Sequence, residues 1–413
     1  MTTTNLKKKN NSFTLFQGIR FMPRGTDPWI NISMLILAIF GLLMISSASM
    51  GIAIDSDHVN NPFYLAITLG KQIVFLLGGY IGMRFLAKHF TFKFFKGSSF
   101  TAMGVLMAGL LVFCLFFSAG GGSKAWIRIP FPGIEVSIQP SEFAKIVSVL
   151  IVAGYLGDVK VKFKNNYDIW LRPFIFIGSY IFIVVILQKD FGSAAVIALI
   201  SGVCVLIPTH PQLKGCQKVI SILFIALFIF AIYILSPLGT SLIKKLPLQA
   251  YQINRFLSAL NPFTDQYGTG YQLINGLVSF ATGGWFGLGY GNSIRKYTNF
   301  PAANTDFILA IVVEELGIVG FLLIFIPYMI IVVKLFSYAF KMKSEKGKII
   351  LIGVALYIVI HTLLNVGGVT GLIPLTGVPL LMISSGGSST LSLMLAIGIA
   401  QAVIMRFNRG EIE

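Results

Sequence analysis

The sequence predicts an all-α polytopic membrane protein with about ten transmembrane helices and a long extracytoplasmic loop between spans 7 and 8. Three observations lead to this fold class. Hydrophobic residues make up 55% of the 413 residues and charged residues only 11%, where soluble domains have about 25% charged residues. The mean hydropathy is +0.83. Apolar runs of about 17–25 residues, the length that a bilayer requires, recur along the chain.

The predicted spans follow one another in order, seven before the long loop and three after it. The first run follows a basic stretch but is too long for the apolar part of a signal peptide, so we interpret it as a retained anchor. The run at 193–208 is short for a span. The ten runs are 29–50, 65–87, 100–119, 140–156, 173–187, 193–208, 219–237, 307–336, 349–372 and 379–405.

The distribution of Lys and Arg predicts the orientation of these spans. Of the 32 Lys and Arg residues, 22 fall on segments that are cytoplasmic if the N-terminus is inside, and 8 fall on the opposite segments. The positive-inside rule then places both termini in the cytoplasm. We expect one transmembrane domain, 29–406, between cytoplasmic tails at 1–28 and 407–413, with 238–306 as the extracytoplasmic loop. The net charge of +17 therefore reflects topology rather than nucleic-acid binding.

The long loop carries an apolar pattern and not the composition of a soluble domain. Ile274, Leu277, Val278 and Ala281 recur at helical spacing, which predicts an interfacial or re-entrant helix. The Gly-rich stretch 283–291 follows it. We expect the loop to pack over the outer mouth of the bundle.

Carboxylates are scarce, and their positions predict a polar cavity that opens outward. A carboxylate at membrane depth is costly and normally faces a partner or a wet cavity. Nine of the 15 Asp and Glu residues lie on the predicted outer side or within spans near it. Asp55 and Asp57 sit on a short outer loop, and the other seven are Glu135, Glu142, Asp190, Asp265, Asp306, Glu314 and Glu315.

Two interpretations of Glu142 and Lys145 stay open. Pro140 and Glu142 are typical of the first turn of a helix, and Glu142 and Lys145 are spaced to form an ion pair along one face. In the functional interpretation, Lys145 and Arg128 offer positive charge to an anionic substrate. Trp126 is equally typical of an interfacial belt residue.

Asp265 also has two interpretations. Its place between Pro262 and Gly268 is typical of a turn residue. It is, however, the one carboxylate in the loop stretch 239–303, and there it could serve as a general base at the membrane surface.

The span after the loop opens with further acidic residues. Thr305 or Asp306 can cap this span. Glu314 and Glu315 lie about two turns into the apolar helix, too far for capping, so at least one is expected to pair with a cation or line the cavity.

The ordered series of motifs resembles the SEDS proteins, the FtsW/RodA/SpoVE family of peptidoglycan polymerases, over nearly the whole chain. The stretch 289–296 is closer to the division branch, FtsW and its sporulation relative, than to RodA. The family's usual Glu and His before Thr305 are Ala302 and Asn304 here. The matching stretches are 126–127, 139–142 with Lys145, 188–192, 261–272, 305–308, 314–317, 374–377 and 386–389.

The resemblance implies a glycosyltransferase that joins lipid II disaccharide units into glycan strands at the outer membrane surface, for cell division or cell shape. It implies Asp265 as the catalytic base and no organic cofactor. It allows a divalent cation, Mg or Mn, beside the diphosphate leaving group. The implied substrate-binding residues are Trp126, Arg128, Glu142, Lys145, Asp190, Arg255, Asp306 and Glu315.

The implied setting is the bacterial plasma membrane. The implied partners are lipid II, a class B penicillin-binding protein and other division or elongation membrane proteins, without nucleic acid. Two alternatives stay open. A lipid II flippase would need a polar cavity but no reactive carboxylate in an outer loop. A non-catalytic scaffold that recruits the penicillin-binding protein would tolerate the loss of Asp265.

Overall fold

The computed structural model describes most of the chain as helices. The described residues are 22–54, 63–117, 123–131, 134–234, 236, 239, 250–298 and 300–413. Most of the predicted N-terminal tail and residues 240–249 of the predicted loop lie outside them.

The described residues form twelve α-helices and one β-hairpin. A π-helical turn, Ile183–Leu187, extends α5. The helices are α1 (Pro28–Ile54), α2 (Tyr64–His89), α3 (Ser98–Phe113), α4 (Pro140–Leu156), α5 (Tyr167–Phe182), α6 (Phe191–Val205), α7 (Lys214–Ile234), α8 (Ala250–Leu260), α9 (Tyr271–Gly283), α10 (Ile308–Lys341), α11 (Glu345–Val369) and α12 (Gly387–Asn408). The antiparallel strands β1 (Ile127–Phe131) and β2 (Ile134–Ile138) pair with Ile127 opposite Ile138.

The predicted all-α membrane class is confirmed. Eight helices in the described part of the chain, α1–α3, α5, α7 and α10–α12, are long and apolar enough to cross a bilayer, by length and composition. Helices α4 and α6 have 17 and 15 residues, about 25 and 22 Å at 1.5 Å per residue. Both are shorter than the hydrocarbon layer of about 30 Å. The count of about ten spans therefore stays a prediction.

The bundle has two ends. We call the end where α4, α6, α10 and α12 begin the cavity face, and the end where they finish the terminal face. Asn408 Nδ2 donates to the Gly25 carbonyl at 2.8 Å, so both described ends of the chain meet at the terminal face.

Burial separates a central helix from a peripheral one. In the most apolar 18-residue stretch of each helix, 89% is buried inside the protein in α12 but only 6% in α7. In a bilayer, α7 is therefore surrounded mainly by lipid, and α12 lies in the protein core.

The last span begins later than the hydropathy pattern predicts. Residues 379–386 form turns, and α12 begins only at Gly387. Two hydrogen bonds tie this segment to the residues before α10: Ser384 Oγ donates to the Thr305 carbonyl at 2.7 Å, and Ser385 N donates to the Asn304 carbonyl at 2.8 Å. The stretch 370–386 thus forms part of the cavity face.

The helix predicted in the loop exists as α9, but a different face of it is buried. Its buried face carries small residues, among them Gly276 and Ser279. Gly276 lies against Phe307, because a Cβ there would stand 3.1 Å from the Phe307 ring. The predicted apolar stripe is only half-buried or exposed: Ile274, Leu277, Val278 and Ala281.

Helix α10 is interrupted at Gly317, where φ is 63° and ψ is −156°, a conformation that only glycine adopts readily. The Gly-rich loop after α9 lies against this break. Ile318 N donates to the Gly284 carbonyl at 3.0 Å, and Val319 N donates to the Trp285 carbonyl at 3.2 Å. The loop thus supplies acceptors for amides that the break deprives of helical partners.

We expect Gly317→Ala to destabilise the protein. The backbone conformation alone costs a non-glycine residue about 1–3 kcal/mol, and a Cβ at Gly317 would overlap the Trp285 carbonyl. Thermal unfolding in detergent measures the effect. Gly178→Ala is the matched control, because a Cβ at this helical glycine meets nothing within 4 Å. Equal loss of stability in both variants would contradict the assignment of strain to Gly317.

Candidate active site

The cavity face contains a cavity of about 620 Å³, a volume typical of small-molecule sites. Its walls are built from the first residues of α6 and α12, the turns that precede α4 and α10, the residues before β1, and α8. The polar residues that line it, together with Trp126, are Ser123, Gln139, Lys189, Asp190, Arg255, Thr305, Asp306, Thr376, Ser385, Ser388 and Ser389.

Four of the predicted site residues line this cavity: Trp126, Asp190, Arg255 and Asp306. They belong to four separate parts of the chain: the residues before β1, the N-cap of α6, helix α8 and the turn before α10. The polar cavity predicted from the acidic residues is therefore present at the cavity face.

Asp190 joins the starts of three helices. It caps α6, because its Oδ1 accepts from Ser193 N at 3.0 Å. Its Oδ2 accepts from Gln139 Nε2 at 2.9 Å. Gln139 N in turn donates to Ser388 Oγ at 2.9 Å. Gln139 and Ser388 were not predicted as site residues, although both lie in the motif stretches that carry the resemblance.

Arg255 and Asp306 place opposite charges on the cavity wall. Arg255 Nη1 donates to the Leu375 carbonyl at 3.0 Å. Burial raises the pKa of the Asp306 carboxyl, and the Arg255 guanidinium offsets part of that rise. Gly377 lies between them: a Cβ there would stand 3.6 Å from Arg255 Nη1 and 3.8 Å from Asp306 Oδ2. Its φ of +69° is a second reason for glycine at this position.

The start of α12 gives the cavity positive potential. Its N-cap residue, Gly386, makes no side-chain cap, and Gly386, Ser388 and Ser389 line the cavity. The amide groups and dipole of a helix N-terminus favour anions. Lys189 and Arg255 also line the cavity. With the start of α12, they make the cavity suited to phosphate groups.

Asp265 does not line the cavity, so its role as a general base stays a prediction. It ends the 3₁₀ turn Pro262–Asp265 and is exposed. Its Oδ2 accepts from Thr269 N at 2.8 Å and from Thr269 Oγ1 at 3.0 Å, so the local turn fixes the carboxylate. Thr269 also lines a crevice of about 40 Å³ that shares Arg255 and Leu375 with the cavity. Asp265 therefore lies beside the crevice: it does not line the crevice itself, but it is hydrogen-bonded to Thr269, which does.

The hydrogen bonds from Thr269 make a pH prediction. They lower the pKa of the Asp265 carboxyl, the backbone amide more than the hydroxyl, so the basic form persists to pH values below the ordinary carboxyl range. Thr269→Val removes the hydroxyl donor and should raise this pKa. If Asp265 is the catalytic base, the acid limb of the pH–rate profile should move to higher pH.

The control for this pH prediction is Thr264→Val, which removes a hydroxyl that donates to the Asn261 carbonyl at 2.9 Å and should leave the limb in place. An acid limb that is identical in the wild type and in Thr269→Val would contradict the assignment to Asp265.

Glu142 and Lys145 form a buried ion pair and do not line the cavity, so their contact with substrate stays a prediction. Lys145 Nζ lies 2.6 Å from Glu142 Oε1 and 3.0 Å from His361 Nε2. Tyr357 Oη donates to Glu142 Oε2 at 2.8 Å. Since His361 Nδ1 lies 3.3 Å from the Pro379 carbonyl and Pro379 lines the cavity, this cluster reaches the cavity only through its wall.

Glu315 is likewise buried away from the cavity lining. Lys296 Nζ lies 2.8 Å from Glu315 Oε1, and Ser47 Oγ donates to the same oxygen at 2.6 Å. Glu314 accepts from Ser293 Oγ at 2.5 Å. We call these five residues the α10 acidic cluster. Its cation, Lys296, was not predicted as a site residue.

Arg128 completes the predicted set. It lies on β1 opposite Ser137 and is half-buried outside the cavity lining. Arg128 therefore does not line the cavity.

The donor set suits a cation that arrives with a phosphate. No group of three His, Cys, Asp or Glu side chains that could hold a metal occurs in the described part of the chain. Asp190 has both oxygens engaged, so Asp306 is the better-placed carboxylate of the two on the wall. Mg²⁺ is commonly held by one or two carboxylates together with substrate phosphates, and Asp306 fits that arrangement.

A helical membrane bundle with a polar cavity built from helix starts defines an integral membrane protein with a binding site at one end. The sequence pattern of the FtsW/RodA/SpoVE family, described as cell cycle proteins, matches residues 28–409. The chain belongs to this family, which confirms the family predicted from the motifs.

Curated relatives carry the name probable peptidoglycan glycosyltransferase FtsW. The relative from Bacillus subtilis is 33% identical over 394 residues, covering 94% of this chain and 92% of that protein. The relative from Coxiella burnetii is 30% identical over 378 residues, covering 90% of this chain and 94% of that protein.

Solved structures share the fold. A chain of a peptidoglycan synthase complex superposes with a TM-score of 0.62 at 22% identity, covering 90% of this chain and 97% of that one. The rod shape determining protein RodA of Thermus thermophilus superposes with a TM-score of 0.58 at 20% identity, covering 92% and 97%.

Proposed function

We propose that this protein is a peptidoglycan glycosyltransferase that joins lipid II disaccharide units into glycan strands. The names of its curated relatives and family membership over residues 28–409 support this activity. The convergence of Trp126, Asp190, Arg255 and Asp306 on one cavity is the structural observation on which the proposal depends.

In the proposed reaction, the 4-hydroxyl of the acceptor sugar attacks the anomeric carbon of the donor strand. A new carbon–oxygen bond forms, the bond to the polyprenyl diphosphate breaks, and the configuration inverts. Asp265 takes the proton of the attacking hydroxyl. Because Asp265 lies beside the crevice and not in the cavity, the acceptor sugar must extend towards Thr269 while the diphosphate occupies the cavity.

The cavity wall supplies charge for the leaving diphosphate. Arg255 is held by its hydrogen bond to the Leu375 carbonyl, and the start of α12 is part of the fold. Preorganised charges of this kind stabilise developing negative charge effectively. Lys189 on the wall adds positive charge. Arg128 and Lys145 do not line the cavity and would act only from behind its wall. A divalent cation such as Mg²⁺ or Mn²⁺, held by Asp306, would neutralise part of the diphosphate charge.

The depth of the cavity suits a lipid-linked substrate. Helices α4 and α6 are shorter than the hydrocarbon layer, and we propose that their starts lie below the outer membrane surface, where a diphosphate attached to a polyprenyl tail can reach them. The distribution of Lys and Arg supports a plasma-membrane orientation with both termini cytoplasmic and the cavity face outward.

A class B penicillin-binding protein is the partner that we propose. A solved chain with this fold belongs to a peptidoglycan synthase complex, which supports assembly with a second cell-wall enzyme. Other division or elongation membrane proteins would bind the same assembly.

The test is a polymerisation assay with purified protein, its transpeptidase partner and labelled lipid II in detergent. We expect glycan polymer. Transport of lipid II in liposomes without any polymer would instead establish a flippase. Neither activity, with partner binding intact, would establish a scaffold. Either of the last two results overturns the proposal.

A further inference from the structure

The crevice beside the cavity contains a buried hydroxyl that the reaction described above does not use. Ser258, on α8, is only 8% exposed, and its Oγ has no hydrogen-bond partner among the residues that the structure describes. An unpaired buried polar group costs about 1–3 kcal/mol. A helical Ser usually avoids this by donating to the carbonyl one turn back, as Ser221 does to Gln217 at 2.9 Å.

The crevice that Ser258 lines has room for a small polar group. Its volume is about 40 Å³, space for a few water-sized groups, so a hydroxyl or hydroxymethyl group fits. Its polar lining consists of Arg255, Ser258, Thr269 and Gln272. Three of these four side chains are neutral, which suits a neutral hydroxyl better than a second phosphate.

The crevice lies between the proposed base and the cavity. Thr269, which holds the Asp265 carboxylate at 2.8 and 3.0 Å, lines it on one side. Arg255 and Leu375 line both the crevice and the cavity. A group bound in the crevice would therefore fix the acceptor sugar close to Asp265.

We propose that Ser258 is a substrate-binding residue whose hydroxyl binds one exocyclic hydroxyl or hydroxymethyl group of the acceptor sugar. A Ser hydroxyl both donates and accepts, so it matches a sugar hydroxyl in either direction. This inference rests on the proposed glycosyltransferase function and adds a contact that orients the acceptor.

Steady-state polymerisation kinetics with lipid II test the contact. We expect Ser258→Ala to raise KM about tenfold, the effect of one lost hydrogen bond, and to change kcat far less. Ser258→Thr keeps the hydroxyl and should restore KM. Ser221→Ala removes a hydroxyl that is satisfied within its own helix and should leave KM unchanged.

Thermal unfolding distinguishes a substrate contact of Ser258 from a role of its hydroxyl in stabilising the fold. Removal of an unpaired buried hydroxyl should keep or raise the unfolding midpoint of Ser258→Ala, whereas loss of an internal hydrogen bond would lower it. A lowered midpoint with the wild-type KM overturns the inference, because Ser258 would then serve the fold or hold only an ordered water.

The inference and the proposed function can fail separately. Polymer from the wild type together with the wild-type KM in Ser258→Ala overturns the inference alone. If the wild type makes no polymer, the glycosyltransferase proposal fails. Equilibrium binding of labelled lipid II then tests whether Ser258 contacts the sugar. An equal Kd for the wild type and Ser258→Ala overturns this contact, and a raised Kd for Ser258→Ala supports it.

Discussion

Replacement of Asp265 by Asn is expected to lower the rate of glycan polymerisation by about 10²–10⁴-fold, the usual contribution of a general base. An amide cannot take the proton of the attacking hydroxyl, but its oxygen can still accept from Thr269 N. The carboxylate is exposed, so no buried contact is lost. Polymer formation should therefore fall while the unfolding midpoint in detergent and binding of lipid II persist.

The matched control is Gln266→Asn, a change of polar side chain at the next exposed position of the same turn. It should leave the rate close to that of the wild type. If Asp265→Asn retains more than about a tenth of the wild-type rate, below the contribution expected of a general base, the base must be another group. Asp306, on the cavity wall, would then be the next carboxylate to replace.

Lys296→Met is expected to cause a larger loss of stability than Gly317→Ala. Lys296 and Glu315 are both fully buried, and Glu314 lies next to them in the α10 acidic cluster. Removal of one partner of a buried ion pair typically costs about 3–5 kcal/mol, because the other charge is left without compensation. Denaturant or thermal unfolding in detergent measures this loss.

A double variant separates the unpaired charge from the loss of packing. Lys296→Met combined with Glu315→Gln should recover much of the stability, because no uncompensated charge is then buried at that pair. Lys343→Met is the exposed comparison: its pair with Glu413 is 82% exposed on both sides, and such pairs contribute about 0–1 kcal/mol. Equal effects of Lys296→Met and Lys343→Met would contradict the burial argument.

The sequence predicts the bundle and much of the cavity wall, because both depend on local patterns. Apolar length predicts helices, and motifs at helix starts place Asp190 and Asp306 where the starts converge. The sequence does not predict in which direction the side chains at the start of a helix point. Glu142 and Asp190 both open helices, yet Glu142 faces His361 and Tyr357, which come more than 200 positions later in the chain.

Hydropathy also fails where apolar residues are buried by protein instead of lipid. Leu380, Leu381, Met382 and Ile383 are all buried, so they extend the apolar run of the last span, although they lie in turns. The position of Asp265 escapes prediction for a related reason. Whether an exposed turn lies over a cavity or beside it depends on how α8 and α9 pack, and no local pattern carries that information.

The two buried ion pairs impose different requirements on biogenesis. Glu142 and Lys145 are three residues apart on α4, so this segment can leave the translocon already electrically balanced. Lys296 and Glu315 are 19 positions apart, and Ser47 comes from the first helix of the chain. We therefore expect helix α10 to enter the bilayer with two acidic side chains whose counter-ion, Lys296, lies on a separate segment. We expect its integration to be complete only when that segment packs against α1.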